Sequence, residues 1–135
     1  MPAIESVKAR LISTQGGHLE AEIWIDGTSY FVIDELTLDE RQAPQPGEEF
    51  DYQFSNVVDE SESWESILNG NPDRISGVER VQGWEYRCFG KVVQIDPVIV
   101  DCGLFRQERV FDSHDPKVVG EFVAFTVTML GGYRV

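Results

Sequence analysis

A strict alternation of apolar and polar residues runs through residues 18–33 and limits what the chain can fold into. The stretch HLEAEIWI places an apolar residue at every second position from Leu19 to Ile25, which is typical of a β-strand with one buried face. Asp26-Gly27 follows, and TSYFVI then resumes the extended pattern. Asp-Gly between two such runs predicts a two-residue hairpin, closed by Ile25 and Thr28, because a type I′ turn needs positive φ at both central positions.

The same alternation recurs along the chain between turns rich in Gly and Pro. It predicts further strands at SVKARLI, EEFDYQF and EFVAFTVTML. A long strand is predicted from Gly83 to Ile95, with Gly90 as a candidate bulge. Asp96-Pro97 is predicted to turn this strand back through VIVDCGLF.

Helix is predicted at only two places. The spacing of apolar residues predicts a short helix from about Ser61, as the N-cap, to Asn69, with a mobile loop as the alternative. One helical turn is predicted after Asp115, with Pro116 at its first position and Gly120 just past its end.

Several short strands with little helix predict an all-β fold, namely a small barrel that is OB-like or of another Greek-key type, with one or two short helices. Two aromatic strands begin alike, in PGEEFDYQF and VGEFVAFTV. This similarity leaves open an internal duplication of a hairpin-plus-strand unit within a single compact β domain, residues 1–135. The pseudo-repeats would be residues 1–56 and 83–130, joined by an acidic segment, residues 57–82.

The net charge of −13 is unevenly distributed. Residues 34–65 contain eleven acidic residues and one basic residue, Arg41. Such a block repels phosphate backbones and attracts basic partners, although an acidic surface also serves solubility alone. Residues 74–109 hold most of the remaining bases, nearly balanced by acids. We therefore expect a basic protein surface as the partner, and nucleic acid is disfavoured without being ruled out.

The N-terminal stretch MPAIESVKAR has no basic region followed by an apolar run, and no run of 18 apolar residues occurs in the chain. The sequence therefore predicts no signal peptide and no membrane span. A cytoplasmic location is the expectation.

The two cysteines, Cys88 and Cys102, are predicted to be packed free thiols. Around the predicted turn they are offset by about three residues, or about 10 Å along the strands, whereas a disulfide needs Cα atoms within about 7 Å. Asp112, His114 and Asp115 are grouped in sequence without the spacing of a known metal site. We therefore expect no metal and no cofactor, and no residue is identified as catalytic.

Binding is the function that the pattern favours, through two groups of residues. Trp24 and Phe31 lie on the polar face of the predicted hairpin, where they either form a recognition surface or are covered by the helix near Trp64. Glu60, Glu62, Trp64 and Glu65 share the acidic block.

The leading hypothesis is an acidic protein-interaction module, inhibitor-like or antidote-like, that docks on a basic partner. The first alternative is an OB-like barrel that binds a single-stranded oligonucleotide or an oligosaccharide through exposed aromatic residues. A carboxylate-based enzyme is the least favoured alternative, because only the fold can decide which of the 24 acids converge.

Overall fold

The computed structural model describes residues 6–135. Residues 1–5, where the first predicted pseudo-repeat begins, lie outside them. The all-β, small barrel-like fold class is confirmed, with two sheets, one of them curled as a half-barrel, and a single short α-helix among the described residues. The strands are β1 (Val7–Thr14), β2 (Glu20–Ile25), β3 (Thr28–Ile33), β4 (Glu49–Phe54), β5 (Val57–Val58), β6 (Gly77–Gln82), β7 (Glu85–Gln94), β8 (Ile99–Asp101), β9 (Arg106–Glu108), β10 (Phe122–Met129) and β11 (Gly132–Arg134). The helix is α1 (Trp64–Asn69), and a 3-10 turn spans Pro116–Val118.

The chain divides into two compact units. The first unit comprises residues up to 57 together with 129–135, and its sheet has the order β11-β4-β1-β2-β3. Its β2–β3 hairpin has the predicted register, with Ile25 opposite Thr28. Asp26 and Gly27 both have positive φ, at 49° and 86°. The inward positions of the strands are buried as the alternation predicts, for example Ile23 on β2 and Tyr52 on β4.

The second unit comprises residues 58–128, and its sheet has the order β5-β10-β7-β8-β9, with β6 paired to β7. The long predicted strand is present as β7, and the strand that returns after Asp96-Pro97 is β8. Strand β6 is not predicted by the sequence pattern, because four of its six residues are exposed and no apolar alternation marks it.

The two units share the same strand order. In each, three strands joined by consecutive antiparallel connections are followed by a fourth strand that returns beside the first, giving β4-β1-β2-β3 and β10-β7-β8-β9. This is the Greek-key order. The returning strands, β4 and β10, are the two whose sequences begin alike. An internal duplication would produce this repetition, and it stays a prediction.

Two local details differ from the sequence-based expectations. The N-cap of α1 is Ser63 and not Ser61. Gly90 is not a bulge, since the irregularity in β7 lies between Val92 and Gln94. A Cβ atom at position 90 would lie 2.4 Å from the Asp101 carbonyl oxygen, so this glycine permits the close approach of β8. The predicted turn after Asp115 is confirmed, with the Asp115 carboxylate accepting from the Lys117 N–H at 3.0 Å.

A buried carboxylate fixes the start of the β3–β4 connection in the first unit. Asp34 is 0% exposed. One carboxylate oxygen accepts from the N–H groups of Leu36 and Thr37, at 2.8 and 2.9 Å, and the other accepts from the hydroxyls of Thr37 and Thr14. A buried charge is tolerated when donors satisfy it in this way. Asp34 therefore links β1 to the chain that leaves β3.

We expect Asp34→Ala to lower the free energy of unfolding by about 3 kcal/mol, because it leaves several buried donors without an acceptor. Urea unfolding followed by circular dichroism measures this loss. The matched control is Glu40→Ala, an exposed acid of the same connection, which should change the stability by no more than about 0.5 kcal/mol. A loss below about 1 kcal/mol for Asp34→Ala would contradict the role assigned to this carboxylate.

Candidate interaction site

The predicted acidic residues around Trp64 form an ordered segment of the second unit. We call residues 59–65 the Trp64 segment. The Asp59 N–H donates to the Thr126 carbonyl at 2.9 Å, which continues the pairing of β5 with β10. The Asp59 carboxylate accepts from the Ser61 hydroxyl at 2.6 Å and the Ser61 N–H at 2.9 Å. These two hydrogen bonds lower the pKa of Asp59 below its ordinary value, so the turn is held by a carboxylate that stays ionised.

Glu62 fastens the Trp64 segment to the sheet. One oxygen of its carboxylate accepts from the Thr126 N–H at 2.6 Å, and the other pairs with Arg87 Nη1 at 2.8 Å. Arg87 Nη1 also lies 3.2 Å from the Thr126 hydroxyl, to which it donates. The Glu62 and Arg87 side chains are only 16% and 27% exposed, which protects the pair from solvent and salt. We call Glu62, Arg87 and Thr126 the Glu62 clamp.

The segment presents Trp64 to solvent at the start of α1. The Ser63 hydroxyl accepts from the Ser66 N–H at 3.2 Å and caps the helix, while Ile67 is buried and anchors it. Trp64 is 60% exposed, more than any other large apolar residue that the structure describes. Glu60 and Glu65 are exposed on either side of it in sequence. Neither carboxylate has a hydrogen bond or ion pair within residues 6–135.

The structure therefore separates the predicted acidic residues by role. Glu60, Trp64 and Glu65 face solvent on one segment, whereas Glu62 is turned inward and holds that segment in place. Sequence reasoning grouped all three glutamates as one surface. The alternation of charged and small residues in DESESWE gives no signal that would distinguish Glu62 from Glu60, because the partners of Glu62 lie 25 and 64 residues away.

Trp24 and Phe31, the other predicted binding residues, lie on the sheet of the first unit. Trp24 is 42% exposed. It pairs across the strands with Arg10 and Ser29. Phe31 is half-buried and pairs with Glu22. The aromatic face is thus present on β2 and β3, and it belongs to a different unit from the Trp64 segment.

The bases on this face are already paired. Lys8 Nζ lies 2.8 Å from the Asp51 carboxylate, and Arg10 Nη2 lies 3.6 Å from that of Glu49. The Asp51 carboxylate raises the pKa of Lys8 above its ordinary value. An incoming polyanion would therefore meet cations that carboxylates already neutralise.

Both cysteines are buried free thiols, as predicted. Burial raises the pKa of Cys88 to about 12. Burial, together with the nearby Cys88, also raises the pKa of Cys102. Since the thiolate is the nucleophile and the metal ligand, neither side chain is prepared for chemistry at neutral pH.

Two of the residues that are grouped in sequence near position 114, His114 and Asp115, have separate partners. His114 Nδ1 contacts Asp96, and Asp115 caps the 3-10 turn. Across residues 6–135, no three His, Cys, Asp or Glu side chains gather in a way that could hold a metal ion. In that same part of the chain, none of the helical structure combines the length and the apolar character needed to span a bilayer. Comparison with known proteins finds no family model, curated protein or solved structure that matches the chain.

We expect the two thiols to make stability fall with rising pH. Each folded pKa is raised, so the stabilisation is fully present below the unfolded value of about 8.5 and is lost as the pH rises above it. The slope is up to about 1.4 kcal/mol per pH unit for each thiol. Urea unfolding at several values between about pH 8 and 10 measures it. A Cys88→Ala/Cys102→Ala double variant should flatten the slope, and an unchanged slope in that variant would contradict the assignment.

Proposed function

We propose that the chain is an acidic protein-interaction module that docks on a basic partner protein through the Trp64 segment, as an inhibitor or antidote-like protein would. The observation that carries the proposal is the 60% exposure of Trp64 on a segment that the Glu62 clamp holds fixed. A large aromatic side chain in water gains when a partner removes it from water.

The Trp64 segment has the anatomy of a protein-binding surface. Binding energy at interfaces is concentrated in a few anchors, and tryptophan is among the residues most enriched there. Polar and charged residues usually form the rim around such an anchor, and Glu60 and Glu65 take that position beside Trp64. The segment is already ordered by the Asp59 turn, the Glu62 clamp and the Ser63 cap, so less conformational entropy is lost on binding.

The charge of the chain supports a basic partner. The chain carries a net charge of −13, and the carboxylates of Glu60 and Glu65 have no partner among residues 6–135. A surface rich in lysine or arginine would pair with them, and an arginine or lysine could also stack on the indole ring of Trp64. The net charge speeds association with such a surface at low salt.

The experiment places a photo-crosslinking amino acid at position 64 and identifies the adduct from a lysate of the source cell by mass spectrometry. We expect a basic protein crosslinked at this position. Its affinity for the unmodified chain is then measured with the purified partner at about 50 and 300 mM NaCl, and should weaken as the salt rises.

Matched variants distinguish the residues that contact the partner from Glu62, which holds the segment in place. Trp64→Ala should weaken binding by about ten- to a hundredfold, and Glu60→Gln/Glu65→Gln by several-fold, without loss of folding. Glu108→Gln/Asp112→Asn removes the same charge from exposed acids elsewhere in the second unit and should leave affinity nearly unchanged. Glu62→Gln should instead lower the thermal midpoint. Equal loss from both double variants, or full affinity in Trp64→Ala, would contradict the proposal.

A second candidate function rests on the 42% exposure of Trp24. Because the nearby bases are paired with carboxylates, this face favours an uncharged oligosaccharide over an oligonucleotide. A soluble hexasaccharide should then quench tryptophan fluorescence saturably in the parent chain and in Trp64→Ala, but not in Trp24→Ala. Quenching by a thymidine dodecamer alone, or no quenching by either probe, would remove this candidate.

A further inference from the structure

A polar cavity lies in the second unit, at the opposite end of α1 from Trp64. Its volume is about 340 Å³, and it is open to solvent. The end of α1, the loop that follows it and the start of β10 form its walls, including Asn69, Asn71, Arg74, Glu121 and Phe122. This volume is at the lower end of the range for small-molecule sites.

The loop that forms one wall is rigidly built. Asn71 is 4% exposed, and all of its side-chain hydrogen-bonding groups are directed into the protein. Its amide nitrogen donates to the carbonyls of Ile75 and Val123, at 2.9 and 3.2 Å, and its oxygen accepts from the Ile75 N–H at 3.0 Å. A Cβ atom at Gly70 would lie 2.9 Å from Ala124 Cβ, so the loop packs directly on β10. The cavity is therefore formed before any ligand arrives.

One cation, Arg74, lines this cavity, and a second, Lys91, lies close to the ring of Phe122, another residue of the lining. The guanidinium of Arg74 and the ammonium of Lys91 each lie 5.9 Å from the centroid of the Phe122 ring. Within residues 6–135, neither side chain makes an ion pair, although the whole chain has 24 acids to provide one. Two positive charges held against one ring attract a doubly negative group.

Arg74 also adopts an uncommon backbone conformation. Its φ is 53°, in the left-handed region that usually selects Gly or Asn. Strained positions of this kind concentrate at sites of ligand binding and catalysis. The side chain at this position is a guanidinium that lines the cavity.

We infer that this cavity binds a small phosphate ester that bears hydroxyl groups, such as a sugar phosphate or a nucleoside monophosphate, with Arg74 and Lys91 holding the phosphate. A phosphate monoester carries close to two negative charges at neutral pH, which matches the two cations. The Glu121 carboxylate and the Asn69 amide, which make no side-chain hydrogen bond among the described residues, accept from the hydroxyls of the ligand. Glu121 disfavours a second anionic group at its own side of the cavity.

The test is a titration of the isotope-labelled full chain, followed by backbone amide chemical shifts at about 50 mM NaCl. The probes are glucose 6-phosphate, adenosine monophosphate and inorganic phosphate, with glucose and adenosine as their uncharged counterparts. We expect saturable shifts confined to residues 68–74 and 120–122. Both esters should bind at least about tenfold more tightly than their uncharged counterparts. If only one ester binds, that result identifies the ligand class as sugar phosphate or as nucleotide.

Variants assign the binding to the two cations. Lys91→Ala and Arg74→Asn should each weaken phosphate-ester binding by about tenfold or more. Asparagine tolerates the left-handed conformation at position 74, so this variant keeps the fold. The control is Lys117→Ala, an exposed lysine of the same unit whose side chain makes no ion pair within the described chain, and it should bind like the parent. No saturable shift up to about 20 mM ligand, or equal loss in the Lys117→Ala control, would overturn the inference.

Discussion

The candidate interaction site depends on one partly buried ion pair, that of Glu62 with Arg87. Strand β5 has only two residues, and beyond it the edge of β10 would present the Thr126 N–H without a strand partner. The Glu62 carboxylate accepts from this N–H at 2.6 Å and so completes the edge. Because Glu62 is bound to the sheet, it also holds the exposed residues Glu60, Trp64 and Glu65 of the same segment in a fixed position. Two acids of the segment, Asp59 and Glu62, thus serve the fold, whereas the carboxylates of Glu60 and Glu65 have no partner among the described residues.

The parts of the fold that could be predicted are those that local chemistry decides. Asp26-Gly27 alone sets the register of β2 with β3, because few residue pairs accept positive φ twice in succession. The aromatic alternation of β4 and β10 likewise identifies one buried face on each strand. Strand β6 could not be predicted in this way. It is extended because it pairs with β7, and its own exposed, mixed residues do not require any particular structure.

The functional residues are less predictable than the strands, since their roles depend on distant contacts. The position of an aromatic residue within an acidic block is visible in the sequence, which is why Trp64 could be named, whereas its exposure is seen only in the structure. The difference between Glu60 and Glu62 is decided only by Arg87 and Thr126, far along the chain. In the same way, Arg74, Lys91 and Phe122 come from three separate segments, and no spacing in the sequence indicates that they meet.

The helix α1 connects the two candidate surfaces of the second unit, the Trp64 segment and the polar cavity, and explains why both are well ordered. Six residues are far too few for a helix to be stable in water by its own hydrogen bonds. Burial of Ile67 and the Ser63 cap hold its first turns. At its other end, Gly70 packs so closely that a Cβ atom there would lie 2.9 Å from Arg87 Nη2, the side chain that also pairs with Glu62. Arg87 therefore supports the acidic segment before the helix and the cavity wall after it, so the rigidity of the two surfaces has a common origin.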